Sequence, residues 1–424
     1  MENINLSLDI RQDIRTVFKD KRVFSLEYLP ESIIYRDKEI RAISPYFISA
    51  LRGDPLYHTW VFGASGIGKT LCMKSLGASF NDKALKMGIN AKYIRISCRN
   101  QDVYSVRPTA TKVLRNLAMN LSYNISEIKR NWGSDMYVEY IINCLCKRKL
   151  KIILVLDDIH LLSVKDINTL LGIFSRIHDL DIEDTRDIDI GVIAVTNKPF
   201  LPDELTRDVK STFGRRIINF LPYNAVQLQD ILSERALAGY KPDTCGCGVV
   251  AKCAAVGAQE DGDARTAITY LRVAGEIADE NNKNKITEED VDIAEDLIEV
   301  EQVTEVLRAQ PRHTKILMAG IFAAQKKNKD EYSKINTTVV FKYYELICLR
   351  LGYKSLTQRR VSTIISELDE LGIVCATTIS KGRYGKTREI VPTFSGKAKE
   401  KINLQFLQDI GISDQEMDQL SIQI

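Results

Sequence analysis

The 424 residues contain no run of about 18 uncharged apolar residues, the length a helix needs to cross a bilayer. The opening MENINLSLDIRQDIR also lacks the charged, apolar, small-residue layout of a secretory signal. A soluble, unexported, membrane-free protein is expected. Internal repeats and low-complexity segments are missing too, and 45% hydrophobic residues supply ordinary packed cores, which excludes disorder, collagen and coiled coil. The length predicts two to four domains. Only four histidines occur (His58, His160, His178, His313), far in sequence from the closest thiol cluster, Cys245, Cys247 and Cys253. A structural zinc, which needs four convergent ligands, is not expected. Nine cysteines, an odd number, suit reduced thiols in a cytoplasm, mostly as small buried side chains.

The net charge of +3 conceals an uneven distribution. Residues 310–401 carry 18 Lys and Arg against 8 Asp and Glu, and the last 23 residues have four acids and no base, which leaves residues 1–309 at −3. The C-terminal third therefore has the electrostatic footprint of a polyanion binder. A solvated basic surface would look the same on charge alone.

Four short β-branched runs, YHTWVF, AKYIRIS, KIILVLDD and IGVIAVTN, alternate with amphipathic stretches, which predicts a parallel sheet wrapped by helices. After about Pro222 the strand signals stop, and residues 225–300 read as successive helices. The acidic stretch ITEEDVDIAEDLIEVE suits a solvated helix starting near Thr287 or Asp290 and leading to a linker near Ala309 to Arg312. Beyond it, three helical patterns and two extended runs around KGRYGK suggest a winged helix. The expected domains are 1–222, 223–309 and 310–424, with a loosely held N-terminal arm.

Gly63-Ala64-Ser65-Gly66-Ile67-Gly68-Lys69-Thr70 fits the phosphate-loop pattern, with an apolar strand before it and a helix from Leu71 after it. Its glycines let backbone amides turn toward phosphate oxygens. Lys69 is expected to meet the terminal phosphates and Thr70 to ligate Mg2+. About 90 residues later an apolar strand ends in Asp157 and Asp158. Asp157 would hold the magnesium through water, and Asp158 would orient or deprotonate the attacking water. Asn197, closing another strand, could position that water, although Asn before Lys-Pro is also good turn chemistry. Arg265, near a helix start, could reach across to report a third phosphate.

Together the phosphate loop, the acidic strand end, the asparagine strand end and a helical segment with GDAR resemble an AAA+ ATPase. YLPESIIYRDKEIRAISPYF, PYNAVQLQDILSERA, GDARTAITYLRVAGEIA and ITEEDV, followed by the basic C-terminal pattern, extend the likeness over about residues 25–395. The chain is similar to the archaeal initiators related to eukaryotic origin-recognition and Cdc-type helicase-loading proteins. The resemblance implies an α/β fold: an AAA+ parallel-sheet base, an all-α lid and a C-terminal winged helix. It implies ATP or ADP with Mg2+ between base and lid, held by Gly63, Gly66, Ile67, Gly68, Lys69, Thr70 and Leu71. Tyr223, Arg235 and Arg265 would lie at the nucleotide, and Leu29, Tyr35 and Arg36 near the adenine. It places the protein in the cytoplasm, on chromosomal DNA.

Two departures from the family bear on activity. Where it usually has Asp-Glu, the second acid here is Asp158, so the carboxylate falls about 1.5 Å short of the usual reach. The arginine that AAA+ neighbours donate in trans aligns with Thr212, leaving Arg207, Arg215 or Arg216 as substitutes. A weakly hydrolysing switch that need not form rings is the expectation.

At the DNA-binding end, Val361, Ile364, Ile365, Leu368 and Leu371 follow helical spacing and are expected to face the core. The opposite face carries Gln358, Arg359, Ser362, Thr363 and Ser366, groups suited to phosphate and base edges in a major groove. The hairpin tip Lys381, Arg383, Tyr384 and Lys386, with Arg388 beyond, would be the wing; a winged helix can instead bind protein. In the first domain, a helix opened by Pro108 offers Thr109, Lys112 and Arg115 to DNA, and a plain surface helix fits the same residues. The resemblance assigns the stretch from about Asp102 to Tyr123 to an initiator-specific element that touches origin DNA. The function so expected is an ATP-regulated, double-stranded DNA-binding initiator that recognises origins and helps recruit the replicative (MCM-type) helicase, acting with other copies or paralogs. A DNA-binding transcription regulator, a non-initiating paralog and a protein-remodelling ATPase are the alternatives.

Overall fold

Alternating β-branched runs and helical stretches close into a parallel sheet because the central strands bury both faces under helices. The computed structural model describes residues 16–99, 109–177, 188–214, 216–326, 334–380, 386–394, 396–413 and 416. The chain divides into two units, Met1–Thr287 and Glu288–Ile424.

In the first unit, helix α1 (Asp37–Arg52) precedes β1 (Thr59–Phe62) and α2 (Lys69–Met87), and then come β2 (Ala91–Ser97), α3 (Ala110–Leu121), α4 (Ser134–Arg148) and β3 (Lys151–Asp157). Next are α5 (Val164–Ser175), β4 (Asp189–Thr196), α6 (Arg207–Phe213) and β5 (Ile217–Asn219). All five strands are parallel, in the order β2-β3-β4-β1-β5. Alternate residues of β3 serve opposite cores. Ile152, Leu154 and Leu156 pack with Leu114, Leu117, Tyr137 and Phe174, whereas Ile153 and Val155 pack with Ile43, Phe47, Met73 and Phe80. Parallel pairing puts the ends of β1, β3 and β4 on one side of the sheet, where open α/β sheets bind ligands.

Helices α7 (Ala225–Gly239), α8 (Cys247–Gln259) and α9 (Ala264–Glu280) form the all-α part of this unit. A reciprocal capping box between Asn224 and Gln227 starts α7, and the Asp263 carboxylate caps α9 by accepting from the Arg265 and Thr266 amides. The expected loose arm falls largely on residues outside the description, but from Thr16 onward the chain is docked. Thr16 and Val17 donate to Asp279, and Phe18 packs on Tyr240.

The second unit begins with α10 (Glu288–Ala309), followed by α11 (Arg312–Lys326), β6 (Ile335–Asn336), α12 (Thr337–Arg350) and α13 (Gln358–Glu370). Strands β7 (Val374–Ser380) and β8 (Lys386–Pro392) and helix α14 (Gly396–Ile410) complete it. The strands pair antiparallel in the order β6-β8-β7. Three features depart from the expectations. Helix α10 ends at Ala309, where the expected linker to Arg312 begins, but it is not simply solvated: its Val300 and Leu307 are buried in the core of this unit. Leu371 does not face the core, because it follows the last turn of α13 as its C-cap and stands 49% exposed. Among the cysteines, Cys72, Cys98, Cys253 and Cys348 are buried as expected of small apolar groups, whereas Cys247 and Cys375 are exposed. No helix among the described residues is long and apolar enough to cross a membrane.

The α13 core contact sets a stability test. Ile365 is fully buried between α13 and its neighbours, so Ile365→Ala should destabilise the C-terminal unit by about 2–5 kcal/mol. Urea unfolding followed by circular dichroism measures it, and a loss under about 1 kcal/mol would contradict this packing.

Candidate nucleotide site and nucleic-acid interface

The loop from Gly63 to Gly68 links β1 to α2, and its backbone needs glycine. Gly66 and Gly68 adopt φ of +69° and +89°, in the left-handed region that side chains resist. A Cβ at Gly66 would also run into the Asp263 carboxylate, and one at Gly68 would come within 3.0 Å of the Tyr223 hydroxyl. Lys69 opens α2 with only 8% of its surface exposed, and its ammonium donates to the Gly63 carbonyl at 2.7 Å and to that of Ala64. Burial pushes Lys69 down to about 8; Asp158, Asp157 and Asp263 counteract that shift, and Arg265 adds to it. The Ile67 side chain is buried in the core and its carbonyl accepts from Arg36, so only its amide is free to serve a ligand.

The Thr70 hydroxyl donates to Asp157 Oδ1 at 3.2 Å, which brings two hard oxygen donors together. That donor set suits magnesium. Asp157 is 2% exposed, and its Oδ2 accepts from the Arg95 guanidinium at 2.8 Å. Asp158 sits in left-handed backbone at φ +57°, and its carboxylate accepts from Arg99 Nε at 2.7 Å. Asn197 follows Thr196, which pairs with Phe62 of β1, so the asparagine stands exposed beside the start of the loop. Arg95 and Arg99 were not anticipated from sequence. The register Ser97↔Asp157 puts Arg95, two residues back on the same face of β2, within reach of that carboxylate.

A pocket opens between the loop and the lid. Gly66, Gly68, Thr70, Leu71 and Lys74 line one side and Ile231, Arg235, Arg265 and Ile268 another, with Tyr28, Ile33 and Ile34 closing it. Its apolar walls suit a flat base and its cationic end suits phosphates. Arg235 is buried, donates to the Val23 carbonyl at 2.8 Å and stacks on Tyr28 at 4.4 Å, while Arg265 is exposed at the start of α9. Leu29, Tyr35 and Arg36 are not in this lining. Leu29 and Tyr35 face solvent, with the Tyr35 hydroxyl on Asp230. Arg36 is 3% exposed and clamps the base: it bonds to Tyr223 Oη, Glu39 and the carbonyls of Ile67 and Leu221, and it stacks 3.8 Å over the Tyr223 ring. The residues beside them, Tyr28, Ile33 and Ile34, supply the wall. A sequence pattern places that segment near the pocket but cannot tell which side chains of an irregular loop turn inward.

In the second unit, Gln358, Arg359 and Thr363 of α13 are exposed and Ser362 and Ser366 half-exposed, opposite the buried Val361, Ile364, Ile365 and Leu368. Arg388 of β8 is not a free wing cation. Its Nη1 donates to the Ser366 hydroxyl at 2.6 Å and the Ser362 carbonyl at 3.2 Å, fastening β8 to α13. Lys381, Arg383 and Tyr384, with the side chain of Lys386, lie outside the described residues. On α3, Lys112 and Arg115 are half-buried, and Arg115 Nε is shielded without a hydrogen-bond partner among the described residues, so this face is less open than a free surface helix. Pro108 and Arg215 also lie outside the description, whereas Arg207 and Arg216 are exposed and the Thr212 hydroxyl lies 3.0 Å from that of Ser175.

Comparison with known proteins agrees with this architecture. Residues 56–200 match the family described as AAA domain, 229–296 the Cdc6 AAA+ ATPase-type lid domain, and 305–395 the CDC6 C-terminal winged helix domain. The lid match thus runs into α10, which packs with the C-terminal unit. An ORC1-type DNA replication protein 1 of Methanosarcina mazei is 33% identical over 378 residues, covering 89% of this chain and 88% of that protein. That of Archaeoglobus fulgidus is 32% identical over 375 residues, covering 88% of each. The structure of the Aeropyrum pernix ORC1 protein in complex with DNA is similar at a TM-score of 0.70 and 29% identity, covering 93% of this chain and 98% of that one. With its AAA+ base, Cdc6-type lid and winged helix, this chain belongs to the family of ORC1-type DNA replication proteins.

Proposed function

We propose that this protein is an ATP-regulated, double-stranded DNA-binding replication initiator that recognises origins and helps recruit the replicative helicase. One observation carries the reading: Lys69, Thr70 and Asp157 gather at the carboxyl edge of the sheet, beside a pocket to which the lid brings Arg235 and Arg265. ATP or ADP would occupy that pocket, with the base against Tyr28, Ile33 and Ile34. Thr70 and Asp157 would hold the magnesium ion that, when bound, neutralises phosphate charge. Lys69 would exchange its two loop carbonyls for phosphate oxygens, Arg265 would reach the terminal phosphate, and Asn197 would orient the attacking water. Asp158 is the candidate base. Its short side chain and its Arg99 partner both favour slow hydrolysis, which suits a switch. The exposed face of α13 would read duplex DNA; that a relative was solved in complex with DNA supports DNA binding.

Genomic footprinting separates the alternatives. Sites next to origins fit this reading, promoter sites a regulator, and no sites a protein-remodelling ATPase. With purified protein, Lys69→Ala should abolish nucleotide binding while part of the duplex affinity survives, whereas Arg359→Ala should weaken duplex binding with nucleotide affinity unchanged. If six phosphates are contacted, the log affinity for duplex should fall with log salt at a slope of about −5. A slope near zero would remove the DNA interface.

Two further outcomes concern the chemistry. Asp158→Glu restores the missing reach, so single-turnover ATP hydrolysis should quicken by roughly tenfold or more, and an unchanged rate would remove Asp158 as the base. Lys69, held near 8 in the free protein, should rise when phosphate replaces the carbonyls. Binding then takes up a proton, so affinity should be flat below about pH 8 and decline above it by up to about tenfold per pH unit. Calorimetry in buffers of different ionisation enthalpy detects that proton, and an affinity independent of pH up to about 9 would contradict the role given to Lys69.

A further inference from the structure

We propose that Arg95 competes internally with the divalent cation: its guanidinium compensates Asp157 in the free protein and raises the magnesium concentration needed to fill the site. The inference rests on the nucleotide-site reading above and adds a residue to it. Asp157 is buried at the end of β3, where an uncompensated carboxylate would be costly. Two groups address it from opposite sides. Thr70 donates to Oδ1, and Arg95 donates to Oδ2 at 2.8 Å. The parallel β2–β3 pairing fixes this arrangement, because Arg95 and Ser97 share a face of β2 and Ser97 lies opposite Asp157.

The two partners differ in what they do to an arriving cation. Thr70 is neutral, and its oxygen can become a ligand. Arg95 carries a full positive charge a single hydrogen bond from the carboxylate that would face the metal. A divalent ion must therefore accept that repulsion or drive the guanidinium off Asp157. Arg95 can leave, since its side chain is 25% exposed whereas that of Asp157 is 3% exposed. The neighbouring acid is paired separately, with Arg99, so it does not relieve the competition. The consequence is a site whose occupancy by nucleotide and by metal are partly uncoupled. Nucleotide can enter with Asp157 already neutralised, and the metal follows at a higher concentration than the oxygen donors alone would require.

The test uses the full chain and N-methylanthraniloyl-ADP as fluorescent probe. Probe affinity is measured in EDTA and then along a MgCl2 titration, for wild type, Arg95→Met, Arg95→Lys and, as a charge-loss control on the opposite face of the same strand, Lys92→Met. Mn2+ bound per protein–nucleotide complex, read from the loss of its free electron-paramagnetic-resonance signal, reports the metal directly. Arg95→Met should lower the half-saturating magnesium and manganese concentrations by roughly tenfold and Arg95→Lys by less, with probe affinity in EDTA weakened because Asp157 is then uncompensated, and Lys92→Met like wild type. An unchanged metal requirement in Arg95→Met overturns the proposal. So does a higher one, the result expected if Arg95 merely orients Asp157. Should Arg95→Met fail to fold, the neutral but polar Arg95→Gln decides instead: a requirement equal to wild type or above it overturns the proposal. Wild type that binds no probe at any magnesium level overturns the nucleotide-site reading and this inference with it, whereas probe binding with an unmoved metal requirement overturns only the inference.

Discussion

The carboxyl edge of the first unit depends on one constraint: β1, β3 and β4 run parallel, so the chain leaves each of them on the same side. Three separate stretches, the phosphate loop, the two aspartates and Asn197, meet there without being near in sequence. A strand shifted by one residue would exchange its two faces. Ile152, Leu154 and Leu156 would then trade places with Ile153 and Val155, the two cores would both be mispacked, and Asp157 would turn away from Thr70. Since each face of β3 is sealed by its own hydrophobic cluster, register and site geometry are fixed by the same packing.

Burying charge at that edge creates a second requirement. Lys69, Asp157, Arg36 and Arg235 are each less than a tenth exposed, and an isolated charge at such positions would cost several kcal/mol. Each has an internal partner. Lys69 uses two loop carbonyls, Asp157 uses Arg95 and Thr70, Arg235 uses the Val23 carbonyl and the Tyr28 ring, and Arg36 gathers a carboxylate, two carbonyls and a tyrosine. Arg36 differs from the others in holding together the start of α1, the phosphate loop and the segment leading into the lid. It is a scaffold element, and its removal would loosen the pocket without removing any wall of it.

Much of this was legible in the sequence because it is carried by pattern. The phosphate loop, the acidic strand end, the α-helical lid and the helix–helix–hairpin order of the C-terminal unit follow from local periodicity and a few glycines. What escaped depends on how elements face one another. Arg95 and Arg99 became partners of the aspartates only through the β2–β3 register. The pocket wall fell to Tyr28, Ile33 and Ile34 instead of Leu29, Tyr35 and Arg36, since the segment before α1 has no period from which to read which side chains turn inward. Leu371 obeyed the helical count, but the helix ended before it. Helix α10 read as a solvated acidic stretch because nine of its residues are acidic, yet Val300 and Leu307, spaced seven apart, are buried in the core.

The C-terminal unit separates affinity from discrimination by chemistry. Positive charge is concentrated between residues 310 and 401, between an acidic α10 and an acidic C-terminal tail, and that stretch would attract any duplex and be screened by salt. Gln358 and Thr363 on the exposed face of α13 are neutral, so in the proposed DNA-reading role they would add little to attraction and would act only through hydrogen bonds at short range. Short-range readers are useful only if their helix is held firmly, because a small tilt breaks a base-edge contact while leaving the long-range field almost unchanged. Arg388 meets that need at the cost of its own freedom. By bonding to Ser362 and Ser366 it gives up its freedom as a surface cation to lock β8 against α13, so the hairpin and the proposed DNA-reading face would move together.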